Sequence, residues 1–440
     1  MFNPLAESLN GMIQSESPAA YGMLSALGKR IFFPSKGILS QSAEAKKLAG
    51  NFNATIGTAL EGHAAMHLDC VMSQLPGITP NDALLYAPSS GLPQLRQAWM
   101  DKLLHDNPQM ADIATSKPVV ANGLSHALSI AGDLFVDAGD TVILPDMNWD
   151  NYLLNYAERT QAQLKFFPFF DGDALNVRGV DAALAEIPEG QKAFVVLNFP
   201  NNPTGYAPLE EEGAALAEVL LDHARRGARL VVLVDDAYYG LFYDDRCMRQ
   251  SLFARIACRH HNLLAIKADA ATKECYVWGL RVGFITFGVK DAASGGPLYR
   301  AMEAKAAGLI RATVSNCSEL SQIVVARALA NPDFYAERAE KARIMGGRCR
   351  KVAEVLESHP EYAQCFTAYP FNSGYFMCIK ILNGSAETLR HILLEKYGTG
   401  GIAITDTNFR LAFSCLEEEQ IPQLFANIYD ACRELPPAAP

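Results

Sequence analysis

From about residue 118 the chain alternates short, almost uninterrupted apolar runs with longer stretches of helical periodicity, and this alternation restricts the fold more than any other feature. The runs are 118–121 (PVVA), 141–145 (TVILP), 193–198 (AFVVLN), 229–235 (RLVVLVD), 263–268 (LLAIKA) and 282–287 (VGFITF). A strand with one wet face alternates apolar and polar side chains. One that is apolar at nearly every position is buried on both faces, as in a largely parallel sheet covered by helices. The stretch between two of these runs, 208–226 (PLEEEGAALAEVLLDHARR), has acids in its first turn, arginines in its last and Gly227 as a stop. That charge order suits the helix dipole. The predicted class is α/β, with a mostly parallel central sheet and helices on both faces.

The pattern changes near residue 331. A charged helical stretch over 332–358 leads into a shorter α/β region that ends in a helix near 417–433. We expect a large domain at 64–330, and a smaller one built from 1–63 and 331–440. A chain of 440 residues that is 50% hydrophobic is long enough for both cores. There is no internal repeat, and the nearest approach to a tail is the closing Pro-Pro-Ala-Ala-Pro.

Charge and cysteine usage narrow the partners. With 38 Lys+Arg against 48 Asp+Glu the formal charge is -10, which disfavours nucleic acid and anionic membranes as partners. The ten cysteines form no CxxC pair, so reduced thiols in a cytoplasmic protein are expected, and no metal. The N-terminus has no basic segment followed by an apolar one, and no apolar run approaches the roughly 20 residues that span a bilayer.

Open α/β sheets bind ligands at the carboxyl ends of their strands, so residues just after the apolar runs are the candidates. Asp235 closes RLVVLVD. A carboxylate at a buried strand end is costly unless paired, and a pyridinium would pair it. The alternative is a helix N-cap, which Asp236 would serve equally. Tyr238 follows three residues on, placed to donate to a phenolic oxygen. Asn202 lies in Asn-Asn-Pro-Thr-Gly, a turn composition that gains specificity by following a buried strand. Lys273 follows LLAIKA and precedes Arg281 of Gly-Leu-Arg-Val-Gly by eight residues. An isolated lysine is ordinarily a surface charge, and Lys267 is the rival, but it lies inside a run. Gly123, Leu124 and Ser125 open a helix directly after PVVA, where free amides suit an anion. Trp149 follows TVILP and offers either a flat stacking surface or core packing. Together these are the parts of a pyridoxal 5'-phosphate site. They supply a lysine for the covalent bond, a carboxylate for the ring nitrogen, a phosphate seat completed by Arg281, and a stacking ring.

In order and spacing the motifs resemble fold-type I aminotransferases of class I, most of all the aspartate/aromatic branch, from about Asn53 to Arg410. The resemblance implies the fold of pyridoxal-phosphate-dependent transferases, with Lys273 as Schiff-base residue and proton carrier. It also implies that Trp149, Asn202, Asp235, Tyr238 and Arg281 bind the cofactor. Tyr86 in Tyr-Ala-Pro-Ser-Ser-Gly-Leu is similar to the tyrosine that reaches the phosphate from the neighbouring subunit of a homodimer. Arg410 matches the arginine that clamps the substrate α-carboxylate, with Gly57 at the same end. Arg311, extended by Ser315 and Asn316, matches the neighbour's arginine for a second carboxylate. The implied reaction moves an amino group between an amino acid and a 2-oxo acid. Aspartate or glutamate is the expected donor, although the aromatic branch retains the same arginine. Ala270 departs from the usual phosphate-binding serine, Cys317 and Ser318 stand where prolines are common, and the segment from Phe33 to Gly57 is only loosely similar. The alternative is a lyase or decarboxylase on the same fold, since fold does not settle reaction type. A cofactor-binding regulator would need a DNA-binding module, for which there is neither spare length nor a basic patch.

Overall fold

The computed structural model describes residues 2–436 apart from 35, 36, 63 and 189, so most of the closing Pro/Ala tail lies outside the described residues. All six apolar runs become strands of one seven-stranded sheet. Its strands are β1 (Val119–Asn122), β2 (Thr141–Pro145), β3 (Gln163–Phe167), β4 (Lys192–Asn198), β5 (Arg229–Asp235), β6 (Leu263–Ala270) and β7 (Val282–Val289). The order across the sheet is β1-β7-β6-β5-β4-β2-β3, parallel except that β7 runs against both its neighbours.

Alternate residues of the central strand enter different cores. Val231 and Leu233 of β5 join Ile266 and Phe284 on one face. Val232 and Val234 join Phe253 and Leu220 on the other. That is the side-chain alternation of a strand covered on both sides, and it explains why the run has no polar position between Arg229 and Asp235. Strand β3 was not anticipated from the sequence. It is an edge strand paired only to β2, its Phe166 is 52% exposed, and such a strand has no need of a continuous apolar run. The predicted helices form at Glu210–Arg225 and Phe334–Ser358. The last one starts at Ile421 rather than near 417, after a 3-10 turn over Glu418–Gln420.

A second, four-stranded antiparallel sheet follows: β8 (Phe366–Ala368), β9 (Phe376–Ile381), β10 (Ile402–Ala403) and β11 (Asn408–Ala412), in the order β8-β9-β11-β10. The segment before Gly57 joins this part of the chain. Phe52–Asn53 pairs in parallel with Thr399–Gly400, and the amide of Ala412 donates to the Ala54 carbonyl at 2.8 Å. No helix among the described residues is long and apolar enough to cross a membrane.

Parallel pairing brings Pro145, Asn198, Asp235 and Ala270 to a single edge, where β7 begins just after Arg281. In β5, Leu233→Ala removes a fully buried side chain from the centre of the sheet. Its expected cost is about 2–5 kcal/mol, read as a lower midpoint of urea unfolding.

Candidate active site

Asp235, 1% exposed, is held at the end of β5 by three donors. Its Oδ2 accepts from the Tyr152 hydroxyl at 2.6 Å, and its Oδ1 accepts from the Ala237 amide at 3.0 Å and Asn198 Nδ2 at 3.2 Å. Burial pushes the carboxyl up to about 6, against the pull of those hydrogen bonds. It enters no ion pair among the described residues. The neighbouring Asp236 differs: its Oδ2 is ion-paired to Lys267 and accepts from Ser251 Oγ at 2.6 Å. The two rivals raised by the sequence, Asp236 and Lys267, are thus bonded to each other and stand outside the cavity that Asp235 faces.

Lys273 follows β6 on a single turn of helix, Ala271–Glu274. Its Nζ donates to the Gly57 carbonyl at 2.6 Å and lies 5.1 Å from the centre of the Tyr238 ring. Burial, reinforced by the positive charges of Arg410 and Arg281, pushes the ammonium down to about 7. A Cβ at position 57 would stand 3.1 Å from Nζ and 3.3 Å from the Tyr238 hydroxyl, so glycine lets this backbone reach the lysine.

At the opposite end the helix Leu124–Phe135 begins at Gly123, whose φ of +76° and ψ of 173° belong to a region used almost only by glycine. A Cβ there would lie 2.3 Å from Arg281 Nη2. Leu124, Ser125 and Arg281 line this end together with Ala270 and Thr272. The Thr272 hydroxyl is buried and has no hydrogen-bond partner among the described residues. Trp149 forms a wall, its ring edge-on to Tyr152 at 5.9 Å.

Arg410, on β11 and 2% exposed, reaches across from the second sheet. It donates from Nη1 to Asn202 Oδ1 and from Nη2 to the Thr55 carbonyl, both at 2.9 Å. The guanidinium lies 4.1 Å from the Phe376 ring centre, and Nε has no partner among the described residues. It forms hydrogen bonds to neutral oxygens only, and burial lowers its affinity for its proton.

These groups line one cavity of about 340 Å³. Three predicted residues are not part of its lining: Gly123, which only starts the helix behind Leu124, Tyr86, which is 90% exposed, and Arg311, which lies on the surface and donates to Ser315 Oγ at 2.6 Å. Sequence reasoning missed Tyr152, Asn198, Phe376, Ile38 and Leu39, which also line the cavity. Tyr152 had a signal, one helical turn beyond Trp149, and Asn198 had one as the last residue of its run, in register with Asp235. The other three had no local signal, because they come from segments distant in sequence.

The family described as aminotransferase class I and II matches residues 55–428. The chain belongs to that family. Among relatives, a probable aspartate/prephenate aminotransferase of Aquifex aeolicus is 27% identical over 369 residues, covering 80% of this chain and 84% of that protein. An aminotransferase structure from Anaerococcus prevotii superposes with a TM-score of 0.80 at 22% identity, covering 91% of this chain and 96% of that one. The aspartate aminotransferase of Thermus thermophilus, solved with maleate, gives 0.71 at 20% identity, covering 93% and 99%. The protein is a transaminase, and these likenesses do not favour the lyase or decarboxylase alternative.

The surroundings of Lys273 in this aminotransferase give a pH prediction. In protein freed of bound small molecules, Lys273 should acylate with a midpoint near its depressed value of about 7. Surface lysines should acylate near the ordinary value of about 10.4. Arg410→Met removes a repelling cation and should move the midpoint upward. Pulse labelling across pH with peptide mass spectrometry measures both, and a surface-like midpoint for Lys273 would contradict this account.

Proposed function

We propose that this aminotransferase works with pyridoxal 5'-phosphate bound covalently through Lys273, exchanging an amino group between an amino acid and a 2-oxo acid. The observation that carries the reading is the buried Asp235 carboxylate without a cation, in the same cavity as a lysine pushed down to about 7. The donor set fits the cofactor. Asp235 matches a ring nitrogen that carries a proton, and Trp149 offers a face for the ring. The orphaned Thr272 hydroxyl, Ser125, Arg281 and the amides beyond Gly123 and Leu124 match a phosphate. Thr272 stands in for the hydroxyl that Ala270 lacks.

When bound, the cofactor supplies a sink for the electrons left at the substrate α-carbon when its proton departs. The chain's residues do the rest. Asp235 keeps the ring nitrogen protonated, steadied by Tyr152 and Asn198. Tyr238 donates to the phenolic oxygen. Arg410, in need of an anion, takes the substrate α-carboxylate beside Asn202 and Gly57. Lys273, partly neutral near pH 7, would take the substrate α-proton onto Nζ and hold it for return, a task that suits a base whose pKa lies close to the working pH.

A homodimer with shared sites is part of the proposal. The exposed run Leu84, Leu85 and Tyr86 and the exposed Arg311 are surfaces that a second copy would cover. Arg311 of the partner subunit then meets a side-chain carboxylate, which favours aspartate or glutamate as donor. The apolar lining from Ile38, Leu39 and Phe376 favours an aromatic donor as the second reading. We also propose the domain division 64–330 and 1–63 with 331–440, supported by the separate sheets and by the pairing of Phe52–Asn53 with Thr399–Gly400. A cytoplasmic location is supported by ten unpaired cysteines.

Borohydride reduction of the yellow enzyme followed by peptide mapping should label Lys273, and Lys273→Ala should lose both the visible absorbance and turnover. A label on Lys267 would overturn the assignment.

Breaking one side of a buried charge pair costs roughly 2–5 kcal/mol, so Arg311→Ala should lower turnover of aspartate more than tenfold, and that of an uncharged donor far less. Mixing Lys273→Ala chains with Arg311→Ala chains under conditions of subunit exchange gives heterodimers with one intact site and one doubly broken site. Activity on aspartate should reappear. A mixture no more active than its parents would refute the shared site.

A further inference from the structure

Three site residues share a pattern that the chemistry above does not use. Asp235, Tyr238 and Lys273 are each followed by a residue whose side chain stays out of the cavity: Asp236, Tyr239 and Glu274. All three of these neighbours enter one buried ionic network behind the strand ends.

Glu274, 2% exposed, is ion-paired to Lys102, whose Nζ also lies 2.8 Å from Asp106 Oδ2. Arg338 closes that half, with Nη1 at 3.1 Å from Asp106 and 4.0 Å from Glu274. In the other half Asp236 pairs with Lys267, whose Nζ lies 3.7 Å from Asp269. Asp269 in turn accepts from Trp99 Nε1 at 3.0 Å. The Tyr239 ring joins the halves, with Lys267 Nζ at 4.8 Å and Lys102 Nζ at 5.7 Å from its centre. The tyrosine itself is tied down, its hydroxyl within 3.0 Å of the Asp106 and Arg249 carbonyls.

A cluster of this kind is a poor source of stability, because desolvating the charges offsets most of their attraction, and apolar residues of similar volume often do as well. Directionality is what it adds. An ion pair with hydrogen bonds fixes angle as well as distance, whereas an apolar contact tolerates sliding. The turn that carries Asp235 and Tyr238 and the turn that carries Lys273 are separate segments of chain, and this network ties them together by side chains.

Building on the cofactor reading, we propose that the network is a positioning scaffold that sets Asp235, Tyr238 and Lys273 in register, with the Lys102–Glu274 pair controlling Lys273. The seven ionic residues act through their neighbours and touch no substrate.

The test replaces that pair by apolar residues of similar size in the holoenzyme. Glu274→Leu alone leaves Lys102 and Arg338 to share the single carboxylate of Asp106, an excess of buried positive charge that should lower the thermal unfolding midpoint. Lys102→Met with Glu274→Leu should restore most of that midpoint. For a positioning pair, kcat in the double variant should remain down by about 10–100-fold, the scale of an ångström-sized misplacement. KM for the amino donor should hold within about twofold, because Arg410 is untouched. The pH midpoint of the visible band should also move, since the lysine nitrogen sits in altered surroundings. Recovery of stability, kcat and pH midpoint together would show a merely structural pair and overturn the proposal. If the double variant does not fold, Glu274→Gln takes its place, keeping an acceptor for Lys102 in the same volume. A reduced kcat with a shifted band midpoint supports the scaffold, and parental values for both overturn it. The parent's own borohydride-labelled Lys273 checks the cofactor reading separately. Its absence sinks that reading and this one together, whereas a labelled parent beside a fully active double variant sinks the network alone.

Discussion

A carboxylate buried at the end of a central strand, with no cation beside it, is the constraint on which this molecule is organised. Asp235 keeps its place through donors from three directions: the hydroxyl of Tyr152, the amide of Ala237 and the side chain of Asn198. Asn198 is in place because β4 lies in register beside β5, the Ala237 amide because it follows Asp235 by two residues, and Tyr152 reaches in from the segment after Trp149. Hydrogen bonds make an unpaired charge tolerable, and they do not neutralise it. The residual demand for a positive partner makes this edge of the sheet the candidate site.

The same burial acts with opposite sign on the cations nearby. It drives the Lys273 ammonium down to about 7 and leaves Arg410 bonded only to neutral oxygens. An acid pushed up, a base pushed down and a guanidinium hydrogen-bonded to neutral oxygens share one cavity. Groups so perturbed, converging in a cleft, mark a place where chemistry is done. The pairs satisfied elsewhere, Asp236 with Lys267 and Glu274 with Lys102, show that the fold has cations to spare for carboxylates in the interior. That Asp235 receives none follows from the direction in which it points.

Local chemistry set the legibility of each part. A strand buried on both faces must be apolar at nearly every position, so six of the central strands stand out in the sequence, and the residues that close them are the candidate site. Edge strand β3 has one wet side and left no such trace. Phe376, Ile38 and Leu39 line the cavity from segments far away in sequence, and no local spacing announces a contact of that kind. Asp235 and Asp236 are indistinguishable as letters, as are Lys267 and Lys273 without their context.

By itself the sequence determined the α/β class, the strand ends that bear Asp235, Asn202, Lys273 and Trp149, and the helix start at Gly123 directly after a strand. Periodicity, charge order and backbone freedom are properties of short stretches, and these follow from them. The tertiary structure alone decided which of two adjacent acids is left without a cation. It also decided which of two lysines is free to react, and that Arg410 from the second sheet completes the cavity. Each of those outcomes depends on burial and direction, which arise only when the strands pair and the two sheets meet.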